Sequence, residues 1–192
     1  MKRLIVGITG ASGVIMGWEL LKVLKGMPDV ESHLVMTEGA ERTFGYETGI
    51  SPEDARSMAD AAYGIGEMGA AIASGSFLTE GMIVIPCSMK SAAGIASGFS
   101  ENLLLRAADV CLKEGRKLVL VPRETPLSPI HLRNLKELAD LGCAILPPVL
   151  TFYNGADTVE QQVRHILGKA LLQFGIRMEG FRPWTGFSCG KN

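Results

Sequence analysis

A short β-branched run, residues 3–8 (RLIVGI), flows into Thr9-Gly10-Ala11-Ser12-Gly13 and then at once into residues with helical spacing. Such a strand–glycine turn–helix junction opens a β-α-β unit, because a strand buried on both faces reads as a continuous apolar run. The same grammar recurs along the chain. Residues 14–25 predict a helix, with Ile15, Trp18, Leu21 and Leu24 spaced along it. Residues 32–37 predict a strand and 38–47 a helix. Ser51-Pro52-Glu53-Asp54 marks another helix start, with proline at the first helical position and acids in the first turn. Strands are expected at 82–86 (MIVIP), 117–122 (KLVLVP) and 144–147. Helices are expected at 90–97, 102–114, 128–141 and 158–174, with Gly98 breaking the first two apart. Residues 63–81 carry glycines at 64, 66, 69, 75 and 81 and read as a long surface loop with at most one short strand. Helices alternating with strands imply right-handed crossovers and a parallel sheet covered on both faces. The expected fold is therefore α/β, a doubly wound parallel sheet in a three-layer αβα domain over residues 1–175, with a tail at 176–192.

Composition narrows the functions such a fold can serve. With 19 basic and 20 acidic residues the net charge is −1, which argues against a broad nucleic-acid surface. Hydrophobic residues at 47% suit a packed core and hint at subunits burying surface on one another. Cys87, Cys111, Cys143 and Cys189 show no C-x-x-C spacing, which speaks against a zinc site. Three buried thiols and one tail thiol are expected, in a reducing cytoplasm. No apolar run reaches membrane-spanning length. Residues 2–16 imitate a signal peptide, but glycines and hydroxyls interrupt them and no small-x-small cleavage site follows.

A doubly wound sheet binds ligands beyond the carboxyl ends of its strands. That directs attention to residues 9–13, 37–38, 86–91, 122–126 and 147–153. The 7–13 turn suits close backbone approach and an anion at the following helix N-terminus, or is simply a tight structural turn. It lacks G-x-G-x-x-G, which favours a mononucleotide such as FMN over a dinucleotide. Thr37-Glu38 leaves the choice open, since a hydroxyl suits phosphate or ribitol and an acid suits a ribose diol. Ser88-Met89-Lys90-Ser91 forms a second anion-friendly turn, with Ser88 as a plain helix cap and Lys90 solvated as the alternative. Pro122 and Pro126 bracket Arg123, suited to a phosphate, and Glu124, suited to moving a proton. Tyr153 follows the stiff Pro147-Pro148 stretch and either presents a phenol to a pocket or packs in the core. Arg106, Asp109 and Lys113 share one helical stripe. His33, His131 and His165 have no Ser or Cys partner at motif spacing, so a nucleophilic triad is unsupported.

Taken together, GITGASG (7–13), ASGSF (73–77), GMIVIPCSMKSAAGIASG (81–98), NLLLRAADVCLKEGRKLVLVPRETPLS (102–128) and FY (152–153) resemble the flavin prenyltransferases. Close relatives of that family are the small subunits of non-oxidative hydroxyarylic acid decarboxylase systems. The likeness runs from about residue 3 to residue 174. It implies a Rossmann-like or flavodoxin-like domain that binds FMN, and transfer of a dimethylallyl group from dimethylallyl phosphate to N5 and C6 of the reduced flavin. The prenylated FMN would then pass to a UbiD-type decarboxylase acting on an aromatic or unsaturated acid. It also implies a homododecamer and no metal. By motif, it places Gly10, Ala11, Ser12 and Thr37 against FMN, with Ser88, Met89, Lys90 and Ser91 beside the isoalloxazine. Arg106 and Arg123 would lie at the cofactor and substrate phosphates. Catalysis would fall to Ser12, Glu47 and Glu124, and donor binding to Ser74, Lys113, Tyr153 and Lys169. The chain departs from the family pattern at Lys169, where arginine is common, at Val149-Leu150-Thr151 before Phe152, at Met16, and in the Arg182-Pro183-Trp184 tail. Two other readings are a non-catalytic flavin-binding accessory subunit and a flavin-dependent cysteine decarboxylase. The latter relies on an early histidine, and none lies between residues 1 and 32.

Overall fold

Leu4, Val6 and Ile8 point into one hydrophobic layer and Ile5 into the other, as a strand sandwiched between helices requires. They belong to β1 (Lys2–Ile8) in a computed structural model that describes residues 1–186. The other strands are β2 (Val30–Met36), β3 (Ala61–Tyr63), β4 (Gly81–Cys87), β5 (Lys117–Pro122) and β6 (Ala144–Ile145). All pair in parallel, in the order β3-β2-β1-β4-β5-β6. Helices α1 (Val14–Lys25), α2 (Glu38–Glu47), α3 (Pro52–Met58) and α7 (Val159–Leu172) pack on the face of Leu4 and Val6. On the opposite face lie α4 (Met89–Ala96), α5 (Leu103–Lys113) and α6 (Pro129–Asp140). The three-layer αβα architecture matches the expectation.

Local chemistry explains most element boundaries. Ser51 caps α3 and Ser128 caps α6, each in a reciprocal box with the residue three positions on. Such a cap contributes about 1 kcal/mol. Gly17 lets α1 lie close on the sheet, since a Cβ there would stand 2.8 Å from the Ile85 carbonyl oxygen, a backbone atom of β4.

Two segments differ from the sequence reading. β3 is a strand of only three residues on the edge of the sheet, too short to display a period. The stretch after it is less a free surface loop than a strap packed on α5. Ile72 within it is 1% exposed. The Arg106 guanidinium donates to the Ala73 carbonyl (3.1 Å), and Arg116 donates to the carbonyls of Phe77 (2.9 Å) and Gly75. Two arginines thus satisfy the carbonyls of a segment that has no strand of its own.

Beneath this strap, His33 on β2 is 2% exposed, between the stacked Tyr63 ring and the edge of Phe77. Its Nδ1 lies 2.9 Å from the Tyr63 hydroxyl. Its Nε2 is 3.4 Å from the Glu31 carboxylate in a geometry that makes no hydrogen bond. Burial holds the His33 pKa below its ordinary value, and Glu31 only partly opposes this. Burial also lowers His165, helped by the neighbouring Lys169 charge. The unfolded chain therefore takes up protons first as pH falls through about 6.5. Stability is expected to be flat from about pH 7.5 down to that value and to drop between it and the lowered folded pKa values. Denaturant midpoints across pH 7.5 to 5 check this, and His33→Gln should flatten part of the slope.

Past α7, Ile176 and Met178 are buried and Phe181 lies against Gly168, where an added Cβ would overlap the ring. Cys87, Cys111 and Cys143 are buried free thiols, and the expected tail thiol Cys189 lies outside the described residues. Among the described residues, no helix is long and apolar enough to cross a membrane.

Candidate functional site

The chain leaves β1 toward β2 on one side and later returns on the other side to β4, so the strand order reverses between β1 and β4. A crevice opens at such a reversal because the crossovers on either side diverge. The 9–13 and 88–91 turns flank it. Thr9, fully buried, joins them: its hydroxyl donates to the Pro86 carbonyl (2.8 Å) and accepts from the Ser88 N–H (2.7 Å). Replacing it with valine keeps the shape and the backbone bond from residue 9 N–H to the Pro86 carbonyl (3.2 Å), but leaves the Ser88 N–H unpaired. Thr9→Val is expected to weaken FMN binding about tenfold or more, whereas Thr9→Ser stays near wild type. Titration followed by flavin absorbance checks this.

In the first turn, the N–H groups of Gly10, Ala11 and Ser12 have no hydrogen-bond partner among the described residues. Three successive free N–H groups ahead of a helix form an anion-binding concavity. The next two donors are taken. Gly13 and Val14 N–H both donate to one Glu47 carboxylate oxygen, at 2.7 and 3.3 Å. Glu47 thus sits on the N-terminus of α1, where the helix dipole favours a negative charge. Ser12 is exposed and Ala11 half-buried beside it. Gly10 runs back to back with Gly39 of α2.

Thr37 and Ser88 both serve as helix N-caps. Thr37 Oγ1 accepts from Ala40 N–H (3.1 Å), and Ser88 Oγ accepts from Ser91 N–H (3.2 Å) while donating to Ser91 Oγ (3.1 Å). Capping by Ser88 and solvation of Lys90, the plainer of the two readings for this turn, are both present. They do not remove the turn from the cleft. Gly10, Thr37, Ser88, Lys90 and Ser91 line one cavity of about 1120 Å³. The N–H groups of Met89 and Lys90 at the head of α4 have no partner among the described residues. The opposite wall is α6, through Ile130, Arg133, Asn134 and Glu137. A flat mononucleotide fits this cavity: it has open volume, anion-seeking N–H groups at one end, and small residues at both turns. Cys87 borders the same turn, but burial pushes its thiol up to about 12, so it offers no thiolate.

The remaining candidates fall into separate groups. Arg106 is half-buried at the start of α5, paired with Asp109 (2.7 Å) and bonded to the strap. Ser74 is exposed on that strap, bonded to Ser76. Lys113 ends α5, ion-paired with Glu114 and close to Gly75. Arg123 and Glu124 are exposed just past β5, where Arg123 N–H donates to the Cys87 carbonyl (3.1 Å). The Glu124 carboxylate accepts from Thr125 N–H (2.9 Å). Tyr153 is 51% exposed, so it is not a core residue, and it packs edge-on against His165 and Trp184. Lys169 is exposed on α7 near His165.

Lys113, Arg123 and Tyr153 do not converge within one chain. Lys113 and Arg123 lie at opposite ends of β5, a six-residue strand of roughly 20 Å. Tyr153 packs on α7, across the sheet from α5. Sequence reasoning missed the α6 wall, although Ile130, Arg133, Asn134 and Glu137 follow i, i+3, i+4, i+7 spacing. It also missed Thr9 as a joint, for which no local signal exists.

A flavoprotein family model matches residues 1–170. The chain is 58% identical over 184 residues to a probable UbiX-like flavin prenyltransferase of Sedimentibacter hydroxybenzoicus, covering 96% of this chain and 97% of that one. It superposes with TM-score 0.94 on a dodecameric FMN-dependent UbiX-like decarboxylase from Escherichia coli O157:H7, at 51% identity, over 96% and 100% of the two chains. AnUbiX (PadA1), solved in complex with FMN and dimethylallyl pyrophosphate, also gives TM-score 0.94, at 46% identity over 97% and 98%.

Proposed function

The chain belongs to the flavoprotein family and is a UbiX-like flavin prenyltransferase, and from that premise we propose how its residues divide the work. It transfers a prenyl group to FMN. The observation that carries the assignment is the crevice between β1 and β4, with free N–H groups at both turns, in a chain so close to named prenyltransferases.

Reduced FMN supplies N5 and C6 as the atoms to which the dimethylallyl group becomes joined. Gly10, Ala11 and Ser12 hold its phosphate end through their N–H groups, and Thr37 retains a hydroxyl hydrogen to donate. Met89 and Lys90 offer N–H groups to the ring, while Ser88 and Ser91 fix the turn. Arg106 and Arg123 balance the phosphate charges. Lys113, Lys169, Tyr153 and Ser74 stabilise the donor phosphate as its allylic C–O bond loosens. Glu124 accepts the proton released from the flavin. Ser12 and Glu47, adjacent through the Gly13 turn, assist proton movement on the other side.

Because Lys113 and Tyr153 lie on opposite faces of one sheet, a donor phosphate touching both needs more than one copy of the chain. A homododecamer, as in the E. coli relative, provides this. Exposed Val149, Leu150 and Phe152 are the apolar surface such an assembly would cover. The product is handed to a UbiD-type decarboxylase, and three buried free thiols suit a reducing cytoplasm. We take residues 1–175 as one flavoprotein domain and 176–192 as its tail.

Anaerobic incubation with reduced FMN and dimethylallyl phosphate tests this reading. A flavin mass gain of one C5 unit is expected; unchanged flavin would favour an accessory role instead.

A further inference from the structure

We propose that Gln162 and His165, one turn apart on α7, are positioning residues that aim the Tyr153 phenol at the donor phosphate. The inference rests on the reading of Tyr153 as a donor-binding residue and adds what holds it in place.

The segment from Pro147 to Thr158 has neither helix nor strand, yet it must present one phenol in one direction. The Gln162 amide closes it at both ends. Its Oε1 accepts from Thr151 N–H (2.9 Å), and its Nε2 donates to the carbonyls of Thr151 (2.9 Å) and Ala156 (3.0 Å). Asn154 tightens the same loop by accepting from Ala156 N–H (3.0 Å). One side chain thus turns residues 151–156 into a closed loop anchored on a helix, with Phe152 and Tyr153 at its rim.

His165 then fixes the ring. It is 7% exposed, meets Tyr153 edge-on with centroids 5.8 Å apart, and has Phe181 stacked at 5.1 Å on its own ring. Its Nε2 lies 3.5 Å from the phenol oxygen, a separation that closes readily once a ligand pulls on the phenol. Burial and the Lys169 charge favour the neutral imidazole. With its proton on Nε2, that imidazole donates to the phenol oxygen and turns the phenol hydrogen outward, to the phosphate. The relay Nε2–H to Tyr oxygen and Tyr O–H to phosphate strengthens both bonds.

The test uses the FMN-loaded oligomer with dimethylallyl phosphate as varied substrate. Gln162→Ala and His165→Leu should each raise the donor KM about fivefold or more, with FMN affinity and oligomer size unchanged. His165→Gln, which keeps a donor near the phenol, should stay within about twofold of wild type. In a Tyr153→Phe background, His165→Leu should add nothing further, a non-additivity that general loosening of the fold would not produce. The proposal is overturned if the single variants leave donor KM unchanged, if they weaken FMN equally, or if His165→Leu and Tyr153→Phe add fully. Should Tyr153→Phe raise KM while Gln162→Ala and His165→Leu do not, only the positioning roles are lost. An unchanged KM in Tyr153→Phe itself overturns the donor-site reading and this proposal with it.

Discussion

Gly10→Ala weakens FMN binding by about a hundredfold while the protein stays folded. An added Cβ at this position stands 2.8 Å from the Gly39 carbonyl carbon and 2.9 Å from its Cα. Both are backbone atoms at the start of α2, whose cap and helix bonds resist displacement. The turn therefore has to move, and with it the N–H groups of Gly10, Ala11 and Ser12. Hydrogen bonds to a charged phosphate contribute about 1.5–3 kcal/mol each, so losing good geometry at one or two suffices for the predicted drop. The sheet beneath is untouched, since Thr9 and Ile8 remain fully buried below the turn. Calorimetric titration with FMN, beside a thermal melt of the same sample, is the check. Binding within threefold of wild type would show that the turn does not carry the flavin.

Glu124→Gln should lower the prenylation rate by about two orders of magnitude with FMN affinity and donor KM nearly unchanged. Glutamine keeps the oxygen that accepts from Thr125 N–H (2.9 Å), so the side chain stays where it is. Arg123, its neighbour, remains tied to the Cys87 carbonyl, which fixes the backbone beside the β4 turn. What glutamine cannot do is take a proton, and a positioned acid–base group typically contributes 10²–10⁴-fold. Single-turnover flavin mass measurements separate the chemical step from binding. A rate within threefold of wild type would remove Glu124 from the proton path and leave Ser12 and Glu47 as the remaining candidates.

Much of this molecule was legible before folding because its signals are local. Ser51, Ser128 and Thr37 declare helix starts through contacts three residues away, and the strands betray themselves by uninterrupted apolar runs. The pair of strand-end turns was readable for the same reason, since each junction carries its own glycines and hydroxyls. β3 was faint because three residues hold no period. The strap over α5 looked like loose loop because its order comes from Arg106 and Arg116, whose partners lie 33 to 41 residues away. Gln162 and His165 gave no hint, as a helix reading sees only their spacing and not the loop folded against them.

By itself the amino-acid order determined the alternation of strands and helices, the parallel sheet that follows from it, and which turns could meet an anion. All of these depend on backbone preference and burial within a few residues of each position. Only the tertiary structure decided that the 9–13 and 88–91 turns share one buried threonine, that Glu47 closes the head of α1, and that Lys113, Arg123 and Tyr153 stay apart within one chain. Those outcomes depend on where distant segments land once the core is packed, and no spacing along the chain encodes a distance across it.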